Sequence, residues 1–99
     1  MSMFNPSHPG EFILATYMEP LGLSCRALAE SLCVSPSTLN RILKKKSGVS
    51  PEMALRLSKA LGRSPESWLA MQDNHDLWQA RKSVNLSNVR KVQGLRAVP

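Results

Sequence analysis

Side chains that suit contacts with nucleic acid concentrate between residues 35 and 46 of the sequence. In a helix over this segment, Ser37, Asn40 and Arg41 would face away from the apolar residues. A guanidinium can grip guanine O6 and N7 with two hydrogen bonds, and a carboxamide can pair with adenine in the same way. We therefore expect Asn40 and Arg41 to read base edges, with Ser37 meeting a base near the helix start.

A second set of side chains suits the phosphate backbone. Hydroxyls such as that of Thr38 commonly hold phosphates. Cys25 and Arg26 open the preceding predicted helix, and the unpaired N–H groups and positive dipole end of a helix start attract phosphate. Three consecutive lysines at residues 44–46 add positive charges that can contact further phosphates. The expected phosphate contacts are Cys25, Arg26, Thr38, Lys44, Lys45 and Lys46.

Five helix starts can be read from the residues that precede amphipathic segments. Ser35-Pro36, Ser50-Pro51 and Ser64-Pro65 each combine a side chain that accepts a backbone N–H with a proline suited to the first turn. His8-Pro9 resembles a further start, and Ser24 caps a helix over about residues 25–32. Apolar residues at helical spacing predict a core that includes Leu28, Ala29, Leu32, Leu39, Ile42, Leu43, Ala54, Leu57 and Leu61.

The helices that begin at Ser24 and Ser35 are separated by only about three residues. Ala29 is small enough to let the second helix approach the first, and Val34 helps to fill the angle between them. This is a helix-turn-helix pattern, and its second helix carries the expected base-reading residues. A major groove about 12 Å wide admits such a helix.

The composition limits the classes of protein to which the chain can belong. Its 99 residues suit one domain, and a hydrophobic content of 42% suits a folded one. No apolar run reaches the roughly 18–20 residues that cross a bilayer, and the N-terminus lacks a signal-peptide pattern. We therefore expect a cytoplasmic protein without membrane contact, in which Cys25 and Cys33 are free thiols.

The charge distribution favours a polyanionic partner. The formal net charge is +6, residues 26–63 contain eight basic residues and two acids, and no acid follows Asp76. A surface charge that only keeps a protein soluble would give similar totals. The charge therefore supports nucleic-acid binding only together with the exposed donors of the predicted helix.

An enzyme is the competing class of protein, because His8, His75 and the two cysteines could in principle supply an acid, a base or a nucleophile. His75 and Asp76 are adjacent on a predicted helix and so do not face each other. The sequence has no glycine-rich phosphate loop and no metal-ligand spacing. We therefore expect no catalytic site, no metal and no cofactor.

Both tryptophans lie on the last predicted helix, which spans about residues 65–82. We expect Trp68 in the core, whereas Trp78 belongs either to the core or to an interface. Leu77 and Trp78 are the candidate dimer interface. Residues 83–99 form a short basic tail, for which an added strand or a segment that folds on a partner are the alternatives.

Further motifs narrow the class of helix-turn-helix protein. They are the opening His8-Pro9-Gly10-Glu11, residues 34–41 (VSPSTLNR), residues 48–57 (GVSPEMALRL) and the segment Asp76-Leu77-Trp78-Gln79-Ala80. Through them, residues 7–82 resemble the Xre/Cro-type helix-turn-helix antitoxins of the HigA class. The resemblance implies an all-α, five-helix, lambda-repressor-like domain over residues 7–82 that includes a dimerisation helix.

The resemblance also implies a function. Such a protein is a homodimer that represses its own operon and neutralises a HigB-type toxin, a ribosome-dependent mRNA endonuclease of the RelE superfamily. The two recognition helices of a dimer would lie about 34 Å apart and read the half-sites of a palindromic operator in double-stranded DNA. A stand-alone repressor without a toxin partner would share the helix-turn-helix, and it stays the alternative.

Two residues depart from the family pattern. Cys33 occupies a turn position where family members usually carry glycine, so we expect a left-handed backbone there at a cost of about 1 kcal/mol. Cys25 occupies a phosphate-facing position where glutamine is frequent, and a thiol is only a weak donor. Both departures predict a weaker or atypical contact with the operator.

Overall fold

The computed structural model describes residues 5–94, most of which belong to five helices. The first, α1, spans residues 9–21 and combines the α-helical segments Pro9–Ile13 and Glu19–Leu21 with a π-helical segment, Leu14–Met18, between them. The remaining helices are α2 Cys25–Leu32, α3 Pro36–Leu43, α4 Pro51–Leu61 and α5 Pro65–Ser83. Residues 5–94 contain no strand, and the predicted all-α, five-helix fold is confirmed.

Each helix begins where the sequence predicts. The hydroxyl oxygens of Ser24, Ser35, Ser50 and Ser64 each accept the backbone N–H three residues later, at 3.1 Å. At the start of α1, His8 Nδ1 accepts the Gly10 N–H at 2.9 Å, and the Glu11 carboxylate accepts the His8 N–H at 3.3 Å. This reciprocal arrangement is a capping box, with histidine in the place of the usual serine or threonine.

Two helices are followed by a non-glycine residue with a left-handed backbone. Cys33 follows α2 with φ 57° and ψ 44°, which confirms the expectation for this turn position. Lys45, two residues beyond α3, has φ 63°, which the sequence does not reveal because lysine is a poor residue for this conformation. In both places the N–H of the following residue reaches back five residues, from Val34 to Ala29 at 3.0 Å and from Lys46 to Arg41 at 2.8 Å.

The core is one cluster of buried apolar side chains to which all five helices and Val49, in the loop after α3, contribute. All of the predicted core residues except Leu61, which is half-buried, are buried. Trp68 is completely buried, as expected, and packs edge-on against Phe12 with ring centroids 5.9 Å apart. The Arg63 guanidinium lies 5.0 Å from the centre of the Phe12 ring and closes the edge of this aromatic cluster.

Only the first half of α5 is held in the core, since its buried residues are Trp68 and Gln72. The helix ends at Ser83, one residue beyond the expected end, and residues 84–94 continue as exposed irregular chain. Among the helices described within residues 5–94, none has the length and apolar character that a membrane crossing requires.

Replacing Cys33 with glycine should stabilise the protein. Glycine relieves a left-handed strain of about 1–2 kcal/mol and costs about 0.5–1 kcal/mol through the greater freedom of the unfolded chain. The Cys33 side chain is exposed, so little packing is lost. We expect the free energy of unfolding, measured by urea denaturation, to rise by about 0.5–1 kcal/mol.

Ser31→Gly is the matched control, because Ser31 is exposed in the last turn of α2 and has a helical backbone. Its free energy of unfolding should fall by about 0.3–0.5 kcal/mol, the difference in helix propensity between serine and glycine. A Cys33→Gly variant that loses as much stability as Ser31→Gly would contradict the proposed strain.

Candidate nucleic-acid interface

The exposed side of α3 carries all three of the expected base-reading residues. Leu39 and Ile42 are almost fully buried, and they hold the helix against the core. Ser37, Asn40 and Arg41 are exposed. The amphipathic pattern thus orients α3 as the sequence predicts, with carboxamide and guanidinium groups directed away from the protein.

Hydroxyl groups cluster at the start of α3. Ser35 Oγ accepts the Thr38 N–H and also lies 2.8 Å from Thr38 Oγ1 and 3.2 Å from Ser37 Oγ, within hydrogen-bond distance of both. All three residues are exposed. The helix cap therefore orients the hydroxyls of Ser37 and Thr38 before any ligand arrives.

The two expected phosphate contacts at the start of α2 differ in their surroundings. Arg26 is exposed, whereas Cys25 is half-buried and its thiol donates to the Pro36 carbonyl oxygen with an S···O distance of 3.6 Å. This weak bond joins the beginning of α2 to the beginning of α3. The Cys25 thiol is thus directed toward the protein, and the backbone N–H groups of α2 remain as the donors at this helix start.

The lysine run divides into residues with different roles. Lys44 and Lys46 are exposed, but the Lys45 ammonium donates to Glu11 Oε2 on α1 at 3.1 Å, where both side chains are 49% exposed. The hydrogen bond from Lys45 and the one from the His8 N–H hold the pKa of Glu11 below its usual value. Lys45 is thus the lysine of this run whose ammonium is paired with a carboxylate of the protein itself.

The first turn of α1 packs directly against the end of α3. A Cβ atom at Gly10 would collide with the Ile42 carbonyl oxygen and come within 3.0 Å of Leu43 Cα, so only glycine permits this approach. Beside it, the His8 ring meets the His75 ring edge-on at 5.1 Å. Burial and the neighbouring His75 lower the pKa of His8, which favours the neutral ring, and the hydrogen bond from the Gly10 N–H identifies Nδ1 as its acceptor nitrogen.

Two further side chains hold the helix-turn-helix through its backbone. Arg56 on α4 donates to the Leu32 carbonyl oxygen at 2.9 Å and forms an ion pair with Glu52 at 2.8 Å. Gln72 on α5 accepts the Val49 N–H at 2.9 Å in the loop between α3 and α4. The first contact caps the end of α2, and the second fixes the chain that leaves the recognition helix.

None of these supporting residues is expected at the site from the sequence alone. The spacing of His8 and Glu11 was a usable sign, since a capping box joins residues three apart. Glu52 and Arg56 were also recognisable as a helical pair four residues apart. By contrast, no local pattern indicates that Gly10 lies against α3.

The candidate dimer residues lie apart from α3, on the second half of α5, which has no buried residue. Leu77 is 49% exposed. Trp78 is half-buried, and the Lys82 ammonium lies 3.9 Å from the centre of its ring. Leu77 thus exposes apolar surface on this helix, whereas Trp78 is partly covered by its own chain.

The sequence is similar to that of known helix-turn-helix proteins. Residues 14–68 match the helix-turn-helix family model. Virulence-associated protein I of Dichelobacter nodosus is 42% identical over 82 residues, which are 83% of this chain and 76% of that protein. Antitoxin HigA-1 of Vibrio cholerae is 36% identical over 76 residues, 77% of this chain and 71% of that protein. The chain belongs to the HigA-type antitoxins of the Xre helix-turn-helix family.

A solved structure extends the similarity of this HigA-type chain over nearly its whole length. The structure of antitoxin GraA in complex with its operator superposes with a TM-score of 0.82 at 39% identity. The match covers 98% of each chain. The similarity thus includes α5 and the irregular segment after it, beyond the helix-turn-helix itself.

The pairing of Lys45 with Glu11 predicts a coupling that Lys44 lacks. In urea denaturation, Lys45→Gln and Glu11→Gln should each lower the free energy of unfolding, and the double variant should lose less than the sum. Because both side chains are about half exposed, we expect a coupling energy of no more than about 1 kcal/mol. Lys44→Gln is the control, and it should be additive with Glu11→Gln. Equal coupling for Lys44 and Lys45 would contradict the assignment.

Proposed function

We propose that this chain is the DNA-binding antitoxin of a toxin–antitoxin module. It forms a homodimer, binds a palindromic operator, represses its own operon and neutralises a HigB/RelE-like mRNA endonuclease. The observation that carries the proposal is the outward face of α3, where Ser37, Asn40 and Arg41 are exposed above a buried apolar side. The similarity to antitoxin GraA, which was solved in complex with its operator, supports it.

In this proposal some residues around α3 contact bases and others contact phosphates. Asn40 and Arg41 form paired hydrogen bonds with base edges, and Ser37 meets a base near the helix start. The phosphate contacts come from the N–H groups at the start of α2 and from Arg26, Thr38, Lys44 and Lys46. Lys45 and Cys25 act indirectly, since each binds another part of the protein.

Repression and neutralisation both follow from binding, so the proposal contains no catalytic step. A dimer on its operator excludes the transcription machinery from the same DNA, and toxin binding withholds the endonuclease from its RNA substrate. Both partners are reached in the cytoplasm. Leu77 and Trp78 supply the contact between two copies, whose recognition helices enter successive major grooves about 34 Å apart.

Replacing Arg41 with alanine should reduce specificity more than general affinity for DNA. The loss of two hydrogen bonds to a base costs about 1–3 kcal/mol on the operator, whereas random duplex offers no such pair. In fluorescence anisotropy titrations we therefore expect operator binding to weaken by about 5- to 150-fold, with binding to random duplex nearly unchanged.

Lys44→Ala is the matched control for that titration. It should weaken binding to operator and random duplex alike, and it should lower the slope of log affinity against log salt concentration by about 0.9. If Arg41→Ala weakened both duplexes equally, Arg41 would be a phosphate contact and the proposed reading of bases would be wrong.

Neutralisation of a toxin is tested by co-expression with the gene adjacent to the one that encodes this chain. The proposal predicts that this neighbour arrests growth alone, that co-expression restores growth, and that the two proteins co-purify. Arg41→Ala should restore growth as well as the parent, because its change lies on the DNA-reading face. A chain that binds its operator but neither rescues growth nor co-purifies would be a stand-alone repressor.

A further inference from the structure

The beginning of α1 is capped by a titratable ring. His8 is only 4% exposed, and its Nδ1 atom accepts the Gly10 N–H at 2.9 Å. Its backbone N–H donates to Glu11 Oε1 at 3.3 Å and completes the capping box. Helix caps are usually serine, threonine, asparagine or aspartate, none of which changes charge near neutral pH. A histidine in this position makes the cap sensitive to protonation.

Two connections lead from this cap to the end of α3. Gly10 lies directly against the Ile42 carbonyl oxygen, so the first turn of α1 rests on the last turn of α3. Glu11 Oε2 accepts a hydrogen bond at 3.1 Å from the ammonium of Lys45, which lies just beyond α3. A broken cap would therefore disturb the contacts that both Gly10 and Glu11 make with the end of the recognition helix.

Protonation of the His8 ring is incompatible with this cap. A neutral imidazole has one nitrogen that donates and one that accepts, whereas both nitrogens of the charged ring donate. A protonated Nδ1 would direct its own N–H at the N–H of Gly10, and neither group can accept from the other. The Gly10 N–H would then be buried without an acceptor, which is costly. The charged ring therefore requires a displaced first turn.

Charged and titratable groups face His8 from α1, from α5 and from the chain after α3. They are Glu11, His75, Asp76, Lys45 and Lys46. Burial is the strongest influence and opposes a positive charge on the ring, and His75 and Lys45 act in the same direction. Asp76 and Glu11 act in the opposite direction without outweighing them, so the pKa of His8 lies below its ordinary value of 6.5.

The ring is buried but lies beside water. His8 contributes to the wall of an open polar cavity of about 420 Å³, to which His75 and Asp76 also contribute. Gln72 Nε2 donates to Asp76 Oδ1 at 3.0 Å, which leaves the second oxygen of that carboxylate for another donor. A proton can thus reach the ring, and a charged ring that leaves Gly10 has space beside Asp76.

The second histidine of the chain lacks this sensitivity. His75 Nδ1 lies 2.9 Å from the Pro6 carbonyl oxygen. A carbonyl oxygen only accepts, so Nδ1 is the donor and carries a proton whether His75 is neutral or charged. Protonation of His75 keeps its hydrogen bond, whereas protonation of His8 breaks one.

We propose that His8 is a pH-dependent switch, whose protonation frees the first turn of α1 from the end of α3 and so reduces the preference of this chain for its operator over other DNA. The cap is formed while the ring is neutral and broken when the ring is charged. The inference rests on the proposed function, because operator binding is the activity that the switch changes.

The direction of the pH dependence follows from the pKa of His8. Because this pKa is lower with the cap formed than with the cap broken, the broken form binds the proton more tightly. The stability that the cap contributes is therefore present above about pH 6.5 and is lost as the pH falls below that value. The added positive charge would strengthen binding to every duplex, so the ratio of operator affinity to random-duplex affinity reports the switch.

NMR of the full chain between about pH 7.5 and pH 5 tests the cap itself. The ¹⁵N shifts of the His8 ring should show an unprotonated Nδ1 at the higher pH and a proton on both nitrogens at the lower pH. The Gly10 amide resonance should move with the same midpoint. After correction for intrinsic exchange rates, the Gly10 amide should be open to solvent about 2- to 30-fold more often at the lower pH, which is the usual effect of losing a helix cap.

Fluorescence anisotropy at constant ionic strength tests the effect on DNA binding. Over the same pH range, the affinity ratio of the parent chain should fall by about 2- to 30-fold. His8→Ser keeps a cap that does not titrate, so its ratio should stay at the parental value for pH 7.5 throughout. The chain has only two histidines, and His75→Gln is the matched control. It should keep the pH dependence, with a midpoint at higher pH because His75 no longer lowers the pKa of His8.

Three outcomes would overturn the proposal: a parent ratio that does not change with pH, a His8→Ser variant that loses its preference for operator as the parent does, or a Gly10 amide that ignores the titration of His8. Circular dichroism should show that the variants fold, and His8→Asn supplies a second neutral cap if His8→Ser does not. If the parent binds operator no better than random duplex at about pH 7.5, the proposed function fails. If that preference is present but independent of pH, only the inference fails.

Discussion

Leu39 and Ile42 on α3 are almost completely buried, and their burial determines which side of the helix is exposed to solvent. Each buried side chain of this size contributes about 1.5–3 kcal/mol relative to an exposed one, so a rotation of the helix that hid Asn40 and Arg41 would lose several kcal/mol. It would also bury a guanidinium without a partner. The availability of the base-reading side chains therefore depends on the hydrophobic effect on the other side of the same helix.

The other helices fix the position of this face by binding backbone rather than by contacting the face itself. Gly10 lets α1 touch the end of α3, Arg56 caps α2, and Gln72 holds the loop after α3. Buried backbone groups are costly to leave unpaired, so these contacts oppose small shifts of the helix-turn-helix. The π-helical segment of α1 lies just before Pro20, whose ring disfavours a regular turn there.

Much of this arrangement could be predicted from local chemistry. The serine caps and the burial of Trp68 depend on residues close together in the sequence or on one amphipathic period. The left-handed backbone at Cys33 was implied instead by the family resemblance, because relatives usually carry glycine at this turn position. The pairing of Lys45 with Glu11 could not be predicted, because it joins residues 34 positions apart. A lysine run near a recognition helix suggests phosphate contacts on charge alone, and only the folded position of α1 shows that one lysine is engaged elsewhere.

The most direct test of the account is amide hydrogen–deuterium exchange with and without operator DNA. If the outward side of α3 reads DNA, operator should slow exchange at the start of α2, in α3 and in the loop that follows, at residues 24–27 and 35–48. Non-operator duplex at the same salt concentration should protect these amides less. Protection confined to α5 and the chain after it, with α3 unchanged, would contradict the central claim.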